Sequence, residues 1–103
     1  MSNKTIANSI NLYKEGKTEQ SIADLKEIIA LGNNSIALFN LAFIYANVYK
    51  NNIEKLLEAK VYLSKALDLN FDSEKIKKLN NSIDVIYNKE KHLQELKLRL
   101  KNE

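Results

Sequence analysis

The residue best suited to acid–base chemistry is His92, the only histidine in the chain. Lys91 stands beside it and Glu95 three residues on, so the imidazole sits on a charged, solvated helix face with no reaction partner. The serines fall at helix starts or lack a histidine to activate them, so no nucleophile–base pair can be assembled. Carboxylates at 15, 19, 54 and 58 alternate with lysines, as helix surfaces do. No metal-ligand spacing and no glycine-rich phosphate loop occur. The chain therefore reads as non-enzymatic, with no catalytic residue, metal or cofactor expected.

What polar chemistry remains is basic. Lys75, Lys77 and Lys78 cluster, and Lys89, Lys91, Lys97, Arg99 and Lys101 follow. Acids at 74, 84, 90 and 95 interrupt them. A phosphate-binding stripe needs cations on one face without acids among them. Nucleic-acid binding through the last helix thus ranks below a solvated helix surface. The net charge of +3 divides as +1 over residues 1–70 and +2 over 71–103. The isoelectric point near 9.0 comes from that small excess, not from a basic domain.

The strongest apolar signal is Ser35 to Tyr49, SIALFNLAFIYANVY. At 100° per residue Leu38, Leu41, Ala42, Tyr45 and Tyr49 share one helix face. Ile36, Phe39, Phe43 and Ala46 share a second face, roughly 130° away. Asn40 and Asn47, seven apart, mark a narrow polar strip. A helix apolar nearly all round is buried nearly all round. This one is too short to cross a bilayer, which takes about 20 apolar residues. It is expected at the centre of an all-helical domain, with helices on one face and an unidentified cover on the other. Two Phe and an Ile present about 300–400 Å² of apolar surface, at the upper end of what a monomer leaves bare. The first helix, the fifth helix or another chain could cover them, and another chain is favoured.

The elements around that helix follow from composition and punctuation. A chain of 103 residues is one domain, and 45% hydrophobic residues allow a modest core. Two Gly, no Pro and 8% aromatics favour helices over a sandwich or barrel. No Cys means no disulfide framework and no thiolate metal site. The first 30 residues hold no apolar h-region, which predicts a cytoplasmic protein without membrane insertion, or one whose leader is already removed. The 14 Asn read as compositional bias.

A first helix is expected over 3–15, with Ile6, Ile10 and Tyr13 on one face. Gly16 and Lys17 turn the chain. Thr18 is expected to cap a second helix, with Glu19 at its positive end, and Gly32 to stop it in the left-handed cap position. Asn34 or Ser35 caps the third. Asn52 caps a fourth over 53–69, which Asn70 ends in the left-handed conformation with Phe71 packing back. Asp72 or Ser73 caps a fifth helix over 73–101, about 43 Å long. Ile76, Leu79, Ile83, Ile86, Leu93 and Leu100 follow heptad spacing in it, and Glu90 and Lys97 break the pattern. Such a helix packs on the domain with its first half and projects with its second; a coiled-coil seam is the alternative.

Two segments repeat. Ser21-x3-Leu25-x2-Ile28-x2-Leu31 recurs as Ala59-x3-Leu63-x2-Ala66-x2-Leu69. Leu38-x2-Leu41-Ala42-x2-Tyr45 precedes the second copy. Together they resemble the tetratricopeptide repeat, W-x2-L-G-x2-Y followed by A-x3-F-x2-A. LYKEGKTEQSI (12–22) and LSKALDLN (63–70) are also similar to that family. In the first copy Thr5, Asn8 and Ser9 replace the usual Trp, Leu and Gly. The chain is 5 residues longer than the pattern between Tyr45 and Ala59, and the terminal Pro is absent.

The resemblance implies an all-α fold of about five helices. Antiparallel hairpins at 2–33 and 35–70 would stack as a right-handed superhelix under a capping or projecting helix at 73–101. It implies an adaptor, small chaperone or assembly factor that binds another protein, its first helices lining a concave groove. Here that groove carries Ile6, Ile10, Tyr13, Ile36, Phe39, Asn40, Phe43 and Asn47. The Lys/Asn set that grips a C-terminal carboxylate in some family members is not reproduced: Asn40 fits one position, but Ile6 and Ile10 stand where Lys and Asn are needed. The implied ligand is therefore an apolar helix or extended segment. A second copy of the chain is the alternative occupant. Lys75, Lys78, Leu93, Leu96 and Leu100 form a secondary candidate surface on the last helix.

Overall fold

The computed structural model describes residues 4–102. Side-chain caps open four of its five helices. Thr5 Oγ1 accepts from the Asn8 N–H at 3.1 Å and opens α1 (Ile6–Lys14). Asn34 Oδ1 accepts from the N–H groups of Ile36 and Ala37, both at 3.1 Å, and opens α3 (Ser35–Val48). Asn52 does the same for α4 (Ile53–Asp68) through Lys55 N–H at 3.1 Å. Asp72 opens α5 (Ser73–Lys101) by accepting from Glu74 N–H at 3.0 Å and Lys75 N–H at 3.3 Å. These oxygens satisfy donors that the first helical turn leaves unpaired. The described residues are 83% helical and contain no strand. None of the helices is long and apolar enough to cross a membrane.

Three local expectations are corrected. The first helix begins at Ile6 because Thr5 is its extended cap; the expected start at residue 3 lies outside the described residues. Thr18 does not cap α2 (Thr18–Leu31) but is its first residue, and Lys17 before it makes no side-chain cap bond. Gly32 follows α2 in an extended conformation (φ 169°, ψ 140°) instead of a left-handed one.

The left-handed caps lie at the ends of α1 and α4. Gly16 has φ +85°. The Gly16 N–H donates to Tyr13 C=O at 3.0 Å, and the Lys17 N–H to Leu12 C=O at 2.8 Å. Asn70 has φ +63°, its N–H donates to Leu67 C=O at 2.9 Å, and the Phe71 N–H reaches Ala66 C=O at 3.1 Å. Both are Schellman motifs. The motif's apolar residue after α4 is Phe71, whose ring stacks on Phe39 of α3 at 4.8 Å.

α3 touches all four other helices; α1 also packs on α2, and α4 on α5. Leu38, Leu41, Ile44 and Tyr45 of α3 are buried with Leu25, Leu56, Leu63 and Ile83 from its neighbours. Small residues set how closely the helix pairs approach. Ser9 and Ser21 are fully buried between α1 and α2, and the Ser21 hydroxyl donates to Ser9 C=O at 2.6 Å. Ala42 and Ala59 are fully buried in the α3–α4 pair. Replacing alanines by serines in the first pair costs no unsatisfied polar group, because the Ser9 hydroxyl also donates, to Thr5 C=O at 3.0 Å. Ion pairs lie at the rim: Lys4, just before α1, with Asp24 and Glu27 of α2, and Lys60 of α4 with Asp84 of α5.

On α5, Ile76 and Ile83 are buried, and Leu79, Ile86 and Tyr87 pack against the core. Glu90, one of the two breaks in the heptad spacing, fills its slot and is buried; Lys97, the other, is exposed. All residues from 91 to 102 are exposed, so the last turns of α5 stand clear of the other helices. Extents of 57 × 28 × 20 Å and a radius of gyration of 15.4 Å reflect that overhang; a compact chain of this length has about 13 Å.

Candidate functional site

The open side of α3 is an arc of roughly 100°, built from Ile36, Phe39, Asn40, Phe43 and Asn47. Four helices pack around the rest of α3, leaving Val48 in its last turn exposed. Ile36 is 50% exposed and Phe43 44%, large values for apolar residues on the central helix of a fold. Phe39 is half-buried under the Phe71 ring, and Ala46, placed by spacing on the same face, is buried. The first and fifth helices leave Ile36 and Phe43 open; what covers Phe39 is one aromatic residue in the α4–α5 turn. The three covers weighed from sequence did not include it. The signal was present in the Schellman punctuation around Asn70, which often brings an apolar residue to the position of Phe71 without saying which helix it will touch.

The polar strip is neutralised from within. The Asn40 side-chain amide donates to Ile36 C=O at 2.8 Å, and Asn47 donates to Phe43 C=O at 2.8 Å. Each bond commits one of the two amide N–H groups to the helix's own backbone. The arc thus carries no charge of its own and offers mainly apolar contact.

α1 touches α3. Its Ile6, Ile10 and Tyr13 are half-buried, and Ile6 and Tyr13 pack against the core. α5 touches α3 as well, with Leu79 and Ile86 also committed to the core. The secondary set does not form one surface. Lys75 and Lys78 are exposed near the start of α5, at least about 22 Å along the helix from Leu93, Leu96 and Leu100. Those three leucines are exposed on the overhang. His92 is exposed as well. No metal-ligand cluster occurs among the described residues.

A tyrosine cluster at the α2–α3–α4 junction was not foreseen. Tyr45 meets Tyr49 edge-on at 5.1 Å and Tyr62 at 5.5 Å. Lys55 lies 5.4 Å from the Tyr45 ring and 5.6 Å from Tyr49, and Lys26 lies 5.7 Å from Tyr45. Cations over aromatic faces stabilise such an arrangement. The Tyr45 hydroxyl beside Lys26 raises that ammonium above its ordinary value, against opposing desolvation. Burial first, and Tyr45 second, push the Tyr62 hydroxyl up to about 12. The Tyr62 hydroxyl therefore stays protonated at neutral pH. The Tyr45–Tyr49 spacing was readable as one helix face; Lys26 and Lys55, on other helices, meet it only through the tertiary fold. No protein-family model, curated protein or solved structure matches the chain.

Proposed function

We propose that this chain is a non-enzymatic protein-interaction module of tetratricopeptide-like build, working in the cytoplasm as an adaptor, small chaperone or assembly factor. Its α3 arc receives an apolar helix or extended segment of another protein. The observation that carries the reading is the exposure of Ile36 and Phe43 on the one helix that packs against all four others. The buried small-residue pairs Ser9/Ser21 and Ala42/Ala59 support the repeat, since they fall at equivalent positions of the two hairpins. So does the sequence of contacts in which α3 touches both α1 and α5, as stacked first helices would. An uncharged arc with two projecting apolar side chains selects its ligand by shape and burial, not by a charged terminus.

Retention from a lysate of the source cells tests the reading. Wild type is compared with an Ile36→Ser, Phe43→Ser variant and with a Leu57→Ser, Val61→Ser control, whose residues are equally exposed on α4. The proposal expects one polypeptide held by wild type and control and reduced at least about tenfold by the α3 variant. Equal retention by all three contradicts it.

A further inference from the structure

The α5 overhang carries a second apolar stripe. At 100° per residue Val85, Leu93, Leu96 and Leu100 fall within roughly 80° of arc. All four are exposed, Val85 at 69% and Leu100 at 72%. Leu98 lies on the opposite side of the helix, so the segment has one narrow stripe, too little apolar surface for a membrane. At the inner end of the stripe a cleft of about 350 Å³ separates α5 from the turn between α3 and α4. Lys50, Asn51, Val85, Ile86, Glu90 and Leu93 are in its wall. The buried Glu90 carboxylate accepts one long hydrogen bond, from Gln94 Nε2 at 3.4 Å. It joins no ion pair among the described residues.

We infer that a second copy of the chain covers this surface, the 88–101 segments of two α5 helices pairing antiparallel about a two-fold axis between Gln94 and Glu95. In that register Leu93 of each copy meets Leu96 of the other, and Leu100 lies along the other copy's cleft. Lys97 comes within about 3 Å, measured along the axis, of Glu90 in the other copy and on the same flank. Lys50 and Lys89 line the same cleft but make no ion pair with Glu90, so each carboxylate gains its close cationic partner from the other copy, twice by symmetry. Parallel pairing would set Glu90 against Glu90 and Lys97 against Lys97. The stripe and the stems of Lys89 and Lys97 bury roughly 400–500 Å² per chain, about 800–1,000 Å² in all, near the lower edge for a specific interface. The dimer is therefore weak and dissociates on dilution.

Sedimentation equilibrium of the full chain from micromolar to millimolar concentration reads the association. Wild type forms dimers at the upper end. The Leu96→Glu, Leu100→Glu variant stays monomeric to concentrations at least about tenfold higher, with unchanged helicity because both side chains are exposed. Leu98→Glu and Phe43→Ser, which lie off the stripe, leave the association as it is. The chain has no cysteine, so a single introduced one reports the register. Two copies of Leu96→Cys lie about 4.5 Å apart along the axis and oxidise to a covalent dimer; those of Leu100→Cys, about 16 Å apart, do not. A wild type monomeric throughout, an association lost in Phe43→Ser but kept in the leucine variant, or cross-linking at Leu100 as efficient as at Leu96 overturns the inference.

Discussion

Leu41 and Phe43 are two residues apart on α3, yet Leu41 is fully buried and Phe43 is half exposed. That difference decides what each side chain contributes. Leu41→Ala, or Leu63→Ala at the facing position on α4, leaves a cavity between close-packed helices and costs about 2–5 kcal/mol in urea unfolding. Phe43→Ser removes a side chain that water already reaches and costs about 1 kcal/mol or less. A loss below about 1 kcal/mol at both leucines would mean that the helices do not meet at those residues. Tyr62 gives the residue-level pH dependence. Its hydroxyl is pushed up to about 12 in the folded chain, above the ordinary tyrosine value of about 10. The fold therefore favours the protonated form. That contribution is complete below about pH 10 and is lost as the pH rises toward about 12. In alkaline titrations followed by circular dichroism, Tyr62→Phe loses less stability across this window than wild type. Identical profiles would remove Tyr62 from the account.

At the level of elements, the punctuation was legible wherever a short polar side chain had one local task. Asn34, Asn52 and Asp72 cap helices because an extended residue with a side-chain acceptor satisfies donors two or three positions on. Asn52→Ala should cost about 1 kcal/mol, measured by thermal or urea unfolding. Asn70 holds φ +63°, so Asn70→Ala should cost about 1–2 kcal/mol while Asn70→Gly costs nothing or stabilises. Equal losses for Ala and Gly would deny Asn70 its left-handed role. Thr18 was misjudged because its type fits a cap position but the neighbouring backbone makes it the first helical residue, whereas Gly32 does stop α2, in an extended and not a left-handed conformation. The tight turn at Gly16 sends Lys17 N–H back to Leu12 C=O and starts α2 directly after it. The buried role of Glu90 was also hidden, since heptad spacing counts apolar residues and a carboxylate in the seam scores as a break.

Across the whole molecule, burial around α3 governs everything else. The near-uniform apolar pattern of residues 35–49 made its central place readable. Which part of its circumference stays open depended on partners distant in sequence: Phe71 over Phe39 and the packing of α1 and α5 on α3. Spacing could therefore group Ile36, Phe39, Phe43 and Ala46 but could not separate the open pair from the covered one. The projecting end of α5 follows from lengths. α4 has 16 residues and α5 has 29, so antiparallel packing leaves several turns without a neighbour. The proposal that the α3 arc binds another protein is tested most directly by photo-cross-linking in the source cells, with a photoreactive phenylalanine analogue placed at Phe43 and, separately, at Val61. The account predicts a discrete adduct with a different polypeptide from position 43, attached through an apolar segment of that partner, and none from position 61. Adducts from position 61 alone, or none from position 43 while the chain is folded and abundant, would contradict it.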